Sequence, residues 1–350
     1  MIALDDPREH FLQTTRRADV LGDYMEVVED YLLDDPGKAR YWAELLPCKL
    51  SEEDAVEIRA RALTLLGATR SATADFPGAA LAFEAAFTLT PSARDFPYRA
   101  WQHAVRARFW THQRDRERAA ADVDTGFRLL GDARSRAART VRALLYLSEH
   151  RFALDRKDWS TAATKAEEAF REAEGRKRKG IYPFGERVRT AAAICYLSSI
   201  AAIDPARALW EMQNRNLIPQ RMKRRGYDEP TRSTLILSWT AGYLQAKLGH
   251  EKPALDNLAW AATHLAELGA TLDAARCAIN LVVLASKDHP AACTAMRALR
   301  DHPDTSDHLR HIAIDWLATP DTADPVPALQ AALDREAQRR REFVGKRATL

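Results

Sequence analysis

The 350-residue sequence predicts an all-α protein, a right-handed α-solenoid of stacked helical hairpins closed by helical caps. Three observations predict it. The composition is rich in Ala and Arg and low in Gly, at 14 residues, which favours helices. No Asn-Gly or Asp-Gly turn joins alternating apolar runs, so strands have little support. The chain is longer than a single hydrophobic core normally serves, and from about residue 60 it repeats a pattern of small residues at fixed offsets.

Taken in order, residues 1–58 form an acidic helical cap. Residues 1–60 hold 15 acids against 7 bases, a net of −8, in a chain whose formal charge is +3. The run "DYMEVVEDYLL" starts at Asp23, and Pro36 and Pro47 punctuate the stretch after it. No second, basic helix stands at the spacing of a helix-turn-helix pair.

Residues 59–300 form the repeat array. In the first unit Leu63, Leu66 and Gly67 lie on one helix. Asp75-Phe76 marks a turn, Ala79, Phe83 and Ala86 come next at helical spacing, and Pro91 closes the unit. Small residues are expected where two antiparallel helices cross closely, with Phe83 filling the space between them. Degenerate copies cover 100–131, 143–174, 186–215, 232–268 and 273–300. Their turn residues Asp75, Asp115, Asp158, Asp204 and His250 are 40, 43, 46 and 46 residues apart. Residues 301–350 supply a helix over 302–317, a turn-rich break at Thr319–Pro327 and a charged terminal helix, as repeat arrays need polar ends.

The pattern Leu66, Gly67, Asp75, Phe76, Ala79, Phe83, Ala86 and Pro91 resembles the tetratricopeptide repeat, whose period is about 34 residues. Two features depart from it: Arg70 stands where an aromatic is usual, and the spacings are longer. At fold level such irregular arrays are similar to the sensor domains of bacterial regulators, including the peptide-sensing quorum regulators. No DNA-binding domain accompanies this one.

The resemblance implies a non-enzymatic module that binds a protein or peptide in a concave groove lined by the first helices, as a regulatory or assembly adaptor. Positions one, five and eight after each first-helix anchor share that face. They are Thr64, Ala68 and Ser71; Ala104, Arg108 and Thr111; Leu147, Arg151 and Leu154; and Trp239, Tyr243 and Ala246. Arg108 and Arg151 would meet acidic groups, and Trp239 and Tyr243 would bury apolar area, beside Thr111 and Leu154. The same aromatics could equally pack against the next repeat.

An alternative is nucleic-acid binding by a rim of basic loops. Arg134–Arg139 would join Arg176, Lys177, Arg178 and Lys179, with Arg221, Lys223, Arg224 and Arg225 beyond. Tyr182 and Tyr227 are interleaved, as base stacking requires. The competing reading is that cations near helix C-termini complement the backbone dipole. A minor alternative rests on Arg106 and His112 in "RARFWTH", a spacing seen in helical ribonucleases.

No catalytic residues, metal site or cofactor are assigned. His308 and His311 lack a third ligand, and phosphate-loop and hydrolase motifs are missing. Cys48, Cys195, Cys277 and Cys293 are far apart, which reads as small buried side chains in a reducing compartment. No apolar run nears roughly 18 residues and no secretory leader is visible, so no membrane partner and a cytoplasmic location are expected.

Overall fold

The computed structural model describes residues 25, 28, 29, 32, 36–73, 75–90, 96–173, 183–215, 217, 231–285, 289–302, 305, 307–318 and 326–335. Among the described residues there are helices, turns and bends and no strand. The chain divides into two compact units. One takes the described residues up to Arg156 with Glu167–Ala192; the other takes Lys157–Ala166 and 193–335.

The first unit opens with α1 (Pro36–Lys49), which packs on α2 (Val56–Ala72). Pro36 begins α1 as expected, but Pro47 sits inside its last turn rather than ending it. Two hairpins come next, α2 with α3 (Phe76–Leu89) and α4 (Phe96–His112) with α5 (Arg116–Leu130). Then α6 (Arg136–Asp155) packs on both α4 and α5. The order of contact is serial: α2 on α4, α4 on α6, and each second helix against the next first helix.

Two helices, α7 (Trp159–Ala173) and α8 (Pro183–Ala201), contribute to both units. In the second unit α9 (Pro205–Asn214) meets α10 (Arg232–Lys247), which pairs with α11 (Glu251–Glu267). Next, α12 (Thr271–Leu284) packs on α10 and α11, α13 (Pro290–Asp301) on α11 and α12, and α14 (Asp307–Ala318) on α13. Leu329, Ala332 and Leu333 of the last described helix, α15 (326–335), complete this unit's core with Trp316.

The hairpins close at the small residues. A Cβ at Gly67 would come within 3.0 Å of the Phe83 ring. A Cβ at Gly242 would come within 2.7 Å of Leu258 Cγ and 3.1 Å of the Ala254 carbonyl oxygen. The two hairpins lie in different units, yet the glycine, the alanine (Ala79, Ala254) and the large side chain (Phe83, Leu258) keep the same offsets. Ala79, Ala86, Ala254 and Ala261 are all fully buried. The approach at Gly242 is closer than real Cβ atoms come, and at Gly67 the Phe83 ring would have to give way, so the interhelical distance is set by the missing methylene.

The turns between paired helices share one chemistry. The side chains of Asp75, Asp115, Asp158 and Asp204 accept hydrogen bonds from Gly78, Arg118, Thr161 and Arg207 backbone N–H groups at 3.0–3.1 Å. Each satisfies a donor that the start of a second helix leaves open. His250 holds the same place in the α10–α11 turn without a side-chain cap bond. The residue before the cap is left-handed in three turns: Arg114 and Lys157 at φ 59° and Gly249 at φ 77°. Glycine takes that conformation freely and the other two are strained there.

Arg70, the departure from the repeat pattern, has a clear use. Its guanidinium donates to both Glu44 oxygens, at 3.1 and 3.0 Å, and so fastens α1 to α2. The Arg70 hydrogen bond holds the Glu44 carboxyl below its ordinary range.

Gly242→Val places a branched side chain where α10 and α11 leave no room. It should lower stability by about 1–3 kcal/mol, read as a drop in the thermal midpoint; an unchanged midpoint would contradict the close crossing.

Candidate functional site

The first unit brings together side chains from three successive first helices. Ser71 ends α2, Arg108 and His112 lie one turn apart on α4, and Arg151 lies on α6. Ser71 Oγ is 3.2 Å from His112 Nδ1, a bond between helices of consecutive hairpins. Burial drives the His112 pKa down to about 4, and the positive charges of Arg108 and Arg151 push in the same direction. Both guanidiniums therefore bear on one imidazole. Arg108 and Arg151 are exposed, and Arg151 Nε is 3.5 Å from Asp155 Oδ1. Such a loosely held surface ion pair keeps the cation available to a ligand.

The rest of the expected groove is uneven. Position one is closed on α2 and α4, where Thr64 is fully buried and Ala104 nearly so, and half-buried on α6 at Leu147. Thr64 Oγ1 donates to the Ala60 carbonyl and accepts from Gln102 Nε2 at 3.3 Å, which shuts the α2–α4 seam at that level. Thr111 is half-buried and folds its hydroxyl back onto the Ala107 carbonyl at 2.9 Å, and Leu154 is half-buried. The face therefore opens at position five of α4 and α6, where Arg108 and Arg151 are exposed, while Ser71 at position eight of α2 is buried.

Trp239 and Tyr243 belong to the other unit. Trp239 packs against that unit's hydrophobic core, the structural role the sequence left open. Tyr243 is half-buried, with Lys247 Nζ 5.4 Å from its ring centroid.

Of the basic rim, Arg176–Lys179, Tyr182, Arg221, Lys223, Arg224, Arg225 and Tyr227 lie outside the described residues. In the first cluster Arg139 donates to the Arg171 carbonyl at 2.9 Å and pairs with Glu172. The next arginine along, Arg142, donates to the Gly131 and Ala133 carbonyls at 3.0 and 2.9 Å. These two cations close helix ends, where carbonyls lack partners. Arg106 and His112 do not converge: the first turns to Asp122 and the second to Ser71. His311 Nδ1 donates to the Asp307 carbonyl, and His308 lies 2.9 Å from Arg335. Cys277 is buried, but Cys48 at the end of α1 is exposed, unlike the buried thiols expected. No described helix is long and apolar enough to cross a membrane.

A second polar centre was not anticipated. Asp122 of α5 is almost wholly buried, accepts from Arg106 Nε and Nη2 at 2.8 and 2.7 Å, and accepts from His103 Nδ1 at 2.7 Å. Burial pushes the Asp122 carboxyl up, but these hydrogen bonds outweigh it and hold it below the ordinary range. Phe87 covers the group, with Arg106 3.7 Å and Arg99 4.1 Å from its ring centroid and the His103 ring edge-on at 4.9 Å. Arg99, His103 and Arg106 share a helix face by spacing, which the sequence did display. Their partners come from α3 and α5, which the spacing alone does not reveal.

No known family model matches the chain, and no curated protein matches it.

The His112 shift sets a pH dependence. Its folded pKa, about 4, lies below its ordinary 6.5, so the unfolded chain takes up the proton first. The neutral ring's contribution is complete above pH 6.5 and is lost as pH falls toward 4. At most about 1.4 kcal/mol per pH unit is at stake. Melting profiles over that window should therefore fall less steeply for His112→Gln than for the wild type; parallel profiles would contradict the burial of His112.

Proposed function

We propose that the chain is a non-enzymatic binding module of tetratricopeptide type, a right-handed stack of hairpins that takes a protein or peptide segment on its first-helix face. It would serve as a regulatory or assembly adaptor. One observation carries the reading: Arg108 and Arg151, from successive first helices, bear on the same half-buried imidazole at the open part of that face. Serial packing of α2, α4 and α6 gives a repeated surface on which an extended segment could lie. The preferred ligand is acidic there, a side-chain or terminal carboxylate held by one or both guanidiniums through charge-assisted hydrogen bonds.

The serial contacts and small-residue crossings support the repeat architecture in each unit. The nucleic-acid reading draws no support from Arg139 and Arg142, which are engaged at helix ends.

Peptides selected from a random display library on the wild-type chain should be enriched in Asp, Glu or a free C-terminus. Arg108→Glu with Arg151→Glu should weaken the selected peptides by about tenfold or more, as loss of one to two charge-assisted contacts implies. Retained affinity in that double variant would remove this face from consideration.

A further inference from the structure

On another side of α4, the first unit opens a cleft of about 420 Å³ that the proposed peptide face does not use. Phe83 and Phe109 line it, their ring centroids 5.4 Å apart, and both are buried. Phe87 and Trp110 supply its outer rings, and Glu84 stands exposed beside them on α3. The size and the aromatic lining with few polar groups match a small-molecule site.

The charges define what such a site would take. Three of the chain's own guanidiniums already lie over the outer rings: Arg99 and Arg106 over Phe87, and Arg118 over Trp110 at 4.8 Å. These ring faces attract cations. Arg106 is answered by Asp122, and Arg118 by Asp115 at 3.4 Å. Arg99 lies outside the cleft lining and donates to Thr90 Oγ1 and Gln102 Oε1. Of the charged residues that line the cleft, Arg106 is paired with Asp122 and Glu84 has no ion-pair partner among the described residues. Arg118 is 66% exposed and among the described residues is ion-paired only at its own helix start, which makes it a displaceable occupant of the Trp110 face.

We propose that this cleft binds a small amphipathic amine, its apolar body against Ala80 and Phe87, above the buried Phe83 and Phe109 rings, and its ammonium paired with Glu84 beside the Trp110 ring. An anion is disfavoured there by the same carboxylate. A neutral molecule of equal shape would gain only the apolar contact.

Calorimetric titration of the full chain with 2-phenylethylamine, 2-phenylethanol and phenylacetate tests this. The amine should bind about threefold to tenfold tighter than the alcohol, the range expected for one exposed ion pair with one cation–π contact, and phenylacetate should bind weakest. Both informative side chains are exposed, so their variants keep the fold, as unchanged melting midpoints will verify. Glu84→Gln should bring the amine down to the alcohol's affinity. Arg118→Ala should tighten the amine about twofold or more by vacating the Trp110 face. An alcohol that binds as well as the amine, no binding of the amine, or an unchanged amine affinity in either variant overturns the proposal.

Discussion

The closest constraint in this protein is the distance at which two antiparallel helices of a hairpin can cross. At Gly242 there is no room for one more carbon, and at Gly67 one fits only if the Phe83 ring gives way. Burial of small residues contributes little apolar area each. It lets the backbones approach until the large side chains, Phe83 and Leu258, are fully enclosed. Enclosing such a side chain is worth about 1.5–3 kcal/mol, which a helix pair held further apart would forgo. The serial contacts of first helix on first helix are a consequence, because a hairpin this thin exposes a flank that the next one covers.

That geometry decides which polar groups become chemically unusual. Packing α4 between α2, α3, α5 and α6 surrounds it with neighbours. His112 is thereby partly withdrawn from water beside two cations, and Asp122 is forced to collect its hydrogen bonds from Arg106 and His103. The exposed ends of the same helix remain outside the seam, so Arg108 on one side and Trp110 on another line open surfaces. One helix thus carries two separate candidate sites, with unlike ligand chemistry.

Much of this was legible in the residues. Glycine, alanine and a large side chain at constant offsets marked the hairpins, and the turn aspartates marked the starts of second helices at the positions where capping bonds are found. Arg108 and Arg151 could be put on one face by helical periodicity. The closure of that face at Thr64 could not, because it depends on Gln102 reaching across from the next hairpin. Trp239 looked the same in sequence whether it faced a ligand or a core, and only its neighbours in the second unit place it on the core. Arg70 read as a lapse from the repeat pattern, since its partner Glu44 lies in a helix outside the repeats. Phe87 and Asp122 gave no signal beyond their type, as their roles come from three helices meeting.

The most direct measurement of the crossing constraint is a double-mutant cycle on Gly67 and Phe83, read by thermal or denaturant unfolding. If the Phe83 ring is what excludes a methyl at Gly67, Gly67→Ala is costly alone and much less so in a Phe83→Leu background. The expected coupling is on the order of 1 kcal/mol or more, as found for residues in contact. Strictly additive effects would mean that the two helices do not meet there, and the serial stack built on that contact would fall with it.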